Sequence, residues 1–304
     1  MRVLIVGLGS IASKHISVLN QIDENVVIYA LRSAKNALKQ DGIINIYDIK
    51  DIYDLNVDFA ILSNPTALHY EYLKYLKKLN IPLFIEKPLF DKVGLEQYKL
   101  VKSIVNANIP TFVACNIRFL DSIIKIRRII QSERVNEVNV YCGSYLPDWR
   151  PNVDFRTVYS ANKEMGGGVH IDLIHELDYI YWIFDEPIKT NSIFLTKSSL
   201  KISACDYANY VWIYDEFAVN IILNYFRKDA KRSLEIICDS GTYYVDLLKN
   251  KIYFKDQVIY ESNQQTIDRF KSQMLFFIES VVKKNDKFNS IDHAYKILKL
   301  CLKD

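Results

Sequence analysis

Arg2-Val3-Leu4-Ile5-Val6-Gly7-Leu8-Gly9-Ser10-Ile11-Ala12 joins a short apolar run to a turn spaced G-x-G-x-x-A. The run suits a strand buried on both faces of a parallel sheet. Beyond it, Ile11, Ala12, His15, Val18, Leu19 and Ile22 recur at helical spacing. A glycine turn between a strand and a helix is a phosphate-binding arrangement. Gly7 permits the tight turn, Gly9 lets the backbone approach a pyrophosphate with no Cβ in the way, and Ala12 lets the helix pack close. The N–H groups of Ser10, Ile11 and Ala12 then offer an anion the positive end of the helix dipole.

The same alternation runs on to about residue 115. Strands are expected at 26–31, 58–62, 81–85 and 111–115, with helices over 67–79 and 91–106. Ser63-Asn64-Pro65-Thr66 breaks the chain and caps the helix after it. Strands alternating with helices of this length build β-α-β units on a parallel sheet. The fold class expected for residues 1–118 is therefore an α/β Rossmann dinucleotide-binding domain. Residues 119–304 read differently. A helix over 119–132 leads to long alternating stretches at 136–146, 190–200, 205–226, 233–247 and 251–260. These predict a large, mostly antiparallel open sheet in meander order. Helices at 168–184, 264–284 and 290–302 complete an α+β domain for substrate binding and oligomerisation. An exposed sheet face would be the oligomer surface, so a homodimer or homotetramer is expected.

Composition narrows the partners. Net charge is +3, from 39 basic and 36 acidic residues, and the basic pairs are scattered along the chain. A nucleic-acid partner would call for a concentrated basic face, and none is expected. No apolar run approaches the roughly 18 residues of a membrane span. The apolar start is short and runs into Lys14-His15, unlike a secretory signal. Five cysteines with no C-x-x-C read as free thiols of a reducing compartment, and a cytoplasmic location is expected. No metal site is expected, since His170, His175 and Glu176 do not have the H-E-x-x-H order.

The end of the second strand selects the cofactor form. An NAD site usually places an acid about 20 residues beyond the turn, on the ribose 2′-hydroxyl. Here there is none between residues 26 and 40. Arg32 instead suits a 2′-phosphate and can stack on adenine, and Ser33 can donate to the phosphate. NADP(H) is expected over NAD(H). Glu86-Lys87-Pro88 closes a further strand, and ligands of open α/β sheets sit outside the carboxyl ends of strands. Pro88 restricts Lys87 to an extended backbone.

Five motifs run in one order. They are Gly7-x-Gly9-x-x-Ala12 with His15, Asn64-Pro65-Thr66-x-x-His69, Glu86-Lys87-Pro88, Asn116-x-Arg118-Phe119, and Gly166-Gly167-Gly168 before Asp172 and His175. Together they resemble the glucose–fructose oxidoreductase/inositol dehydrogenase (Gfo/Idh/MocA) family over residues 2–187. The resemblance implies a dinucleotide-dependent dehydrogenase or reductase acting on a sugar, cyclitol or related alcohol. It assigns Lys87 to substrate-hydroxyl binding and proton relay, and places an Asp/His pair after the glycine run, facing the nicotinamide. It puts Asn64, Pro65, His69, Glu86, Asn116 and Arg118 on the cofactor side, with a structural domain-bridging role as the alternative for Arg118.

The chemistry asks for the same groups. Hydride transfer from a secondary alcohol also requires removal of the hydroxyl proton. An imidazole does this near neutrality, and an ammonium stabilises the developing alkoxide. Asp172 and His175 are three apart, which on one helix puts them on a shared face. Many family members place the acid four before the histidine. Anchoring on the glycine run selects Asp172, whereas anchoring on His175-Glu176 puts Ile171 in that place. His170 would point to another face. Trp149, Arg150, Arg156 and Tyr159 precede the glycine run. Aromatic rings stack on sugar C–H faces and arginines suit an anionic sugar such as a nucleotide sugar, while the alternative is a loop anchored on the sheet by Trp149. The rival functions are a non-catalytic dinucleotide or metabolite sensor on the same fold, and a reductase of a non-sugar substrate.

Overall fold

The structure is a computed structural model that describes residues 1–33 and 40–303. Residues 34–39, part of the acid-free stretch 26–40, lie outside it. The chain forms two compact units. The first begins with β1 (Arg2–Val6), α1 (Ser10–Ile22), β2 (Val27–Leu31), β3 (Ile43–Ile46), β4 (Phe59–Leu62), α2 (His69–Leu76), β5 (Leu83–Glu86), α3 (Leu95–Asn106) and β6 (Thr111–Ala114). Its strands lie in the order β3-β2-β1-β4-β5-β6 and every pair is parallel. The order reverses between β1 and β4, the kind of switch point where such sheets bind ligands. Val6 is level with Leu31 and Leu62, Leu62 with Ile85, and Glu86 with Ala114. Gly7, Arg32, Ser63 and Lys87 therefore all leave the sheet at one edge. Val3, Leu4 and Ile5 are wholly buried, each contributing about 1.5–3 kcal/mol through burial. Strand β3 is absent from the sequence reading; only one of its four residues is buried, so it carries little apolar pattern.

The second unit begins with α4 (Asp121–Ile129) and β7 (Val135–Tyr145), followed by α5 (Val169–Asp172) and α6 (His175–Phe184). Its sheet is completed by β8 (Lys189–Leu195), β9 (Tyr207–Ile213), β10 (Ala218–Asn224), β11 (Phe226–Cys238), β12 (Gly241–Asp246), β13 (Lys251–Phe254) and β14 (Gln257–Glu261). The order is β14-β13-β12-β11-β7-β10-β9-β8, antiparallel except for β7 with β10. The sheet is mostly antiparallel, as expected, but it is not a single meander. The first strand of the unit is laid between two meanders, because alternation shows which face of a strand is buried and not which strand lies beside it.

The chain then returns to the first unit over Gln265–Leu298. Within this stretch α7 (Thr266–Phe276) packs along α1, and Phe277 meets the rings of Phe59, Phe84 and Phe112 at 5.2, 5.3 and 6.1 Å. The final helix, α8 (Ile291–Leu302), starts there too. The units thus differ from a split into 1–118 and 119–304. A parallel sheet needs both faces covered, and helices from the far end of the chain supply part of that cover. Among the described residues, no helix is long and apolar enough to cross a membrane.

Candidate active site

The glycine turn opens α1 as its spacing predicts. Gly9 is the N-cap, no side chain caps the helix, and Gly9 and Ser10 are exposed. Gly7 has φ +87°, and a Cβ there would lie 2.6 Å from the Asn64 Cα. A Cβ on Gly9 would meet nothing within 4 Å. Ser63 holds the Asn64 loop against the turn, its Oγ donating to the Gly7 carbonyl at 2.9 Å. The Oδ1 and Nδ2 atoms of Asn64 are buried with no hydrogen-bond partner among the described residues. Buried polar atoms of this kind call for a partner. Uncapped helix N–H groups beside an unsatisfied amide fit a dinucleotide pyrophosphate and its ribose.

At the end of β5, Lys87 is half-buried and its peptide bond to Pro88 is cis. Glu86 does not face outward alone: its Oε1 lies 2.6 Å from Nε2 of the fully buried His15. His69, also buried, sits with Nδ1 3.1 Å from the Leu89 carbonyl and Nε2 3.1 Å from the Asn64 carbonyl. Burial holds its pKa below the usual imidazole value. Glu86 and His69, expected on the cofactor side, are thus engaged inside the fold.

In the second unit the glycine run fits a close backbone crossing. A Cβ on Gly167 would lie 1.9 Å from the Tyr159 carbonyl oxygen. The helix expected over 168–184 is broken. α5 ends at Asp172, Leu173 leaves helical geometry at φ −99°, ψ 25°, and α6 starts at His175. Asp172 and His175 therefore do not share one helix face, and the three-residue spacing has to be read across the break. Asp172 is buried and accepts a hydrogen bond from the Tyr225 hydroxyl. Burial, and then the Asp172 charge, push the Tyr225 phenol well above its usual value, so it remains a donor. Ile171 is buried. His175 is half-buried at the first position of α6. His170 lies against Phe194, and burial pushes its pKa down to about 4.

Residues 1–108 match an oxidoreductase family with an NAD-binding Rossmann fold, and residues 123–244 match the Gfo/Idh/MocA C-terminal domain. The chain belongs to the Gfo/Idh/MocA family. Among similar proteins, the myo-inositol 2-dehydrogenase of Thermotoga maritima is 22% identical, over 92% of this chain and 83% of that protein. The scyllo-inositol dehydrogenase of Lactobacillus casei, solved with NAD(H) and scyllo-inositol, superposes with a TM-score of 0.80 at 18% identity. That match covers 99% of this chain and 95% of the other. The UDP-N-acetylglucosamine 3-dehydrogenase of Acidithiobacillus ferrooxidans gives 0.78 at 14% identity, covering 100% and 96%.

The other expected site residues of this Gfo/Idh/MocA chain separate into groups. Arg118 is 1% exposed, and its Nε and Nη2 donate to the two carboxylate oxygens of Asp178 at 2.7 and 2.8 Å. The pair is structural but lies wholly within the second unit, so it is not the domain bridge given as the alternative for Arg118. Asn116 is half-buried in the same turn. Trp149 meets the Tyr225 ring edge-on at 5.3 Å and donates to the Ser144 Oγ at 2.9 Å, which gathers Trp149, Tyr225 and Asp172. Arg150 and Arg156 are exposed, Arg156 resting on Phe155, and Tyr159 is half-buried. Arg32 is half-buried and donates from Nη1 to the Asn45 Oδ1 at 2.8 Å, with Ser33 exposed beside it. Pro65 precedes the short turn that leads into α2. Tyr225 and Asn45 went unnoticed in the sequence. For Tyr225 a signal existed: Val219, Ile221, Leu223 and Tyr225 alternate, and this period places its hydroxyl on the inward face.

Proposed function

We propose that this oxidoreductase moves a hydride between a nicotinamide and a secondary hydroxyl or keto group of a sugar, cyclitol or nucleotide sugar. The observation that carries the reading is the position of Lys87. It leaves β5 on the sheet edge that also bears the glycine turn and the unsatisfied Asn64 amide. The inositol and UDP-sugar dehydrogenases among its relatives support the substrate class. A role in carbohydrate biosynthesis is the corresponding biological reading.

When bound, the nicotinamide supplies the hydride acceptor. Ser10, Ile11 and Ala12 hold the pyrophosphate through backbone N–H groups, and Asn64 supplies an amide beside them. The Lys87 ammonium binds the substrate hydroxyl and stabilises negative charge on its oxygen. The His175 imidazole takes the hydroxyl proton, and Asp172, fixed by Tyr225, orients the reacting groups. Trp149, Arg150, Arg156 and Tyr159 contact the sugar and any phosphate it carries. Arg32, steadied by Asn45, favours NADP(H) over NAD(H). The half-covered outer face of the eight-stranded sheet, with Tyr141, Val211, Ile222 and Tyr244, receives a second copy in a homodimer or homotetramer. The five free cysteines support a cytoplasmic location.

The test is a single-turnover assay following nicotinamide absorbance against inositols, sugars and nucleotide sugars. We expect turnover with at least one of them and a loss of at least about 100-fold in Lys87→Met. Turnover unaffected by Lys87→Met removes the mechanism. Tighter binding of NAD than NADP, with Arg32→Ala changing neither, removes the cofactor preference.

A further inference from the structure

We propose that His15 and His69 are positioning residues for Lys87, two buried imidazoles that hold the segment 86–89 from either side. The proposal rests on the role given to Lys87 above. A lysine carries its charge on a flexible four-carbon stem, so its placement begins with the backbone that bears it. Strand β5 ends at Glu86, so the sheet ladder no longer fixes the chain where Lys87 begins.

The two histidines act at that point. His15 lies on α1 and is fully buried, its ring edge-on to Phe84 at 5.0 Å and Phe270 at 5.7 Å. Packing sets the ring, and its Nε2–H donates to the Glu86 Oε1 at 2.6 Å. The other oxygen, Oε2, accepts the Lys87 backbone N–H at 3.3 Å. The helix that opens at the glycine turn is thereby tied, through one carboxylate, to the backbone of Lys87. His69, the first residue of α2, stands on the other side. Its two ring nitrogens lie 3.1 Å from the carbonyls of Leu89 and Asn64. A neutral imidazole has one N–H and donates to one of the two at a time, so it ties the start of α2 to either the Lys87 loop or the Asn64 loop. The Leu89 contact is buried and the Glu86 and Asn64 contacts are partly buried, and away from water a hydrogen bond is strong and a lost partner costly. His15, through Glu86, joins the helix of the glycine turn to Lys87, and His69 lies between the Lys87 and Asn64 loops. An error of about 1 Å in such a group can cost on the order of 100-fold in rate.

A double-mutant cycle with a spectroscopic arm tests this in the full chain. His15→Leu and His69→Leu are measured alone and with Lys87→Met, and thermal melting identifies the folded variants. We expect each to lower kcat by at least about 10-fold, with KM for the cofactor moving less and the His→Gln variants recovering most of the loss. In the Lys87→Met background the same changes should alter kcat by less than about 2-fold. Equal losses in both backgrounds, or a wild-type kcat in the folded variants, overturn the proposal. The second readout is the NMR signal of 13C-dimethylated Lys87, assigned with Lys87→Arg. It should shift or broaden in both leucine variants and return with glutamine. An unmoved signal overturns the proposal whatever the turnover shows. Wild-type turnover in Lys87→Met would sink the catalytic role of Lys87 and leave the NMR signal to decide its positioning. Should His15→Leu not fold, Glu86→Gln, which weakens the His15 pair, takes its place in both arms; should His69→Leu not fold, His69→Phe takes its place.

Discussion

At the scale of single residues, a carboxylate buried as deeply as Asp172 needs donors, and the Tyr225 hydroxyl is one of them. The same tyrosine receives the edge of Trp149, so one ring fixes both a candidate acid and a candidate sugar-stacking surface. A hydrogen bond to a charged group is worth about 1.5–3 kcal/mol. Tyr225→Phe keeps the ring, its packing and the Trp149 contact, and removes only the donor. We expect the variant to fold, and to lose about 10- to 100-fold in kcat as Asp172 reorients. Steady-state kinetics beside a thermal melt checks this. Unchanged kcat in a folded variant would separate Asp172 from the chemistry.

Among the elements, the break between α5 and α6 sets the placement of His175, and α6 in turn must be held in place. Two ion pairs hold it, the buried pair of Asp178 with Arg118 and the part-buried pair of Glu176 with Arg232 from β11. Removing one partner of such a pair leaves a buried charge, at a cost of about 3–5 kcal/mol. Arg118→Ala should lose that much in urea unfolding, and Arg118→Met with Asp178→Leu should regain most of it. A loss below about 1 kcal/mol, the range of exposed pairs, would count against this role. Element signals also mark how far the sequence could be read. The turn at Gly7, the parallel strands, the helix at 67–79 and the alternating strands are local patterns, each confined to a few residues, and all are legible. The position of β7 between β10 and β11, the return of α7 to α1 and the break at Leu173 depend on distant contacts, and no local period records them. Lys87 and Asp172 could be singled out from motif order. The Arg118–Asp178 pair and the Asn45–Arg32 bond join residues 60 and 13 positions apart, which only coordinates reveal.

For the molecule as a whole, buried histidines couple stability to pH. His170 is neutral in the folded second unit because burial pushes its pKa from 6.5 to about 4. His69 in the first unit is displaced the same way, by burial. In the unfolded chain both rings regain an ordinary pKa near 6.5. Between that value and the folded one the unfolded state binds more protons, so stability falls as pH falls. Above about pH 6.5 both states are neutral and these groups add no slope. For His170 the loss continues to about pH 4 and then levels off, reaching roughly 3 kcal/mol at about 1.4 kcal/mol per pKa unit. Carboxylates such as Asp23 and Asp229, with pKa values lowered by hydrogen bonds, add their own acid-side loss, so the wild-type curve alone does not isolate the ring. The difference between wild type and His170→Asn does. Asparagine keeps polar atoms near that position and cannot take up a proton. Urea unfolding at pH 7 and pH 4.5 should show the wild type losing about 2–3 kcal/mol more than the variant across that interval. Parallel losses in the two proteins would mean that His170 is already solvated, and that its neutral burial against Phe194 does not govern the acid stability of this unit.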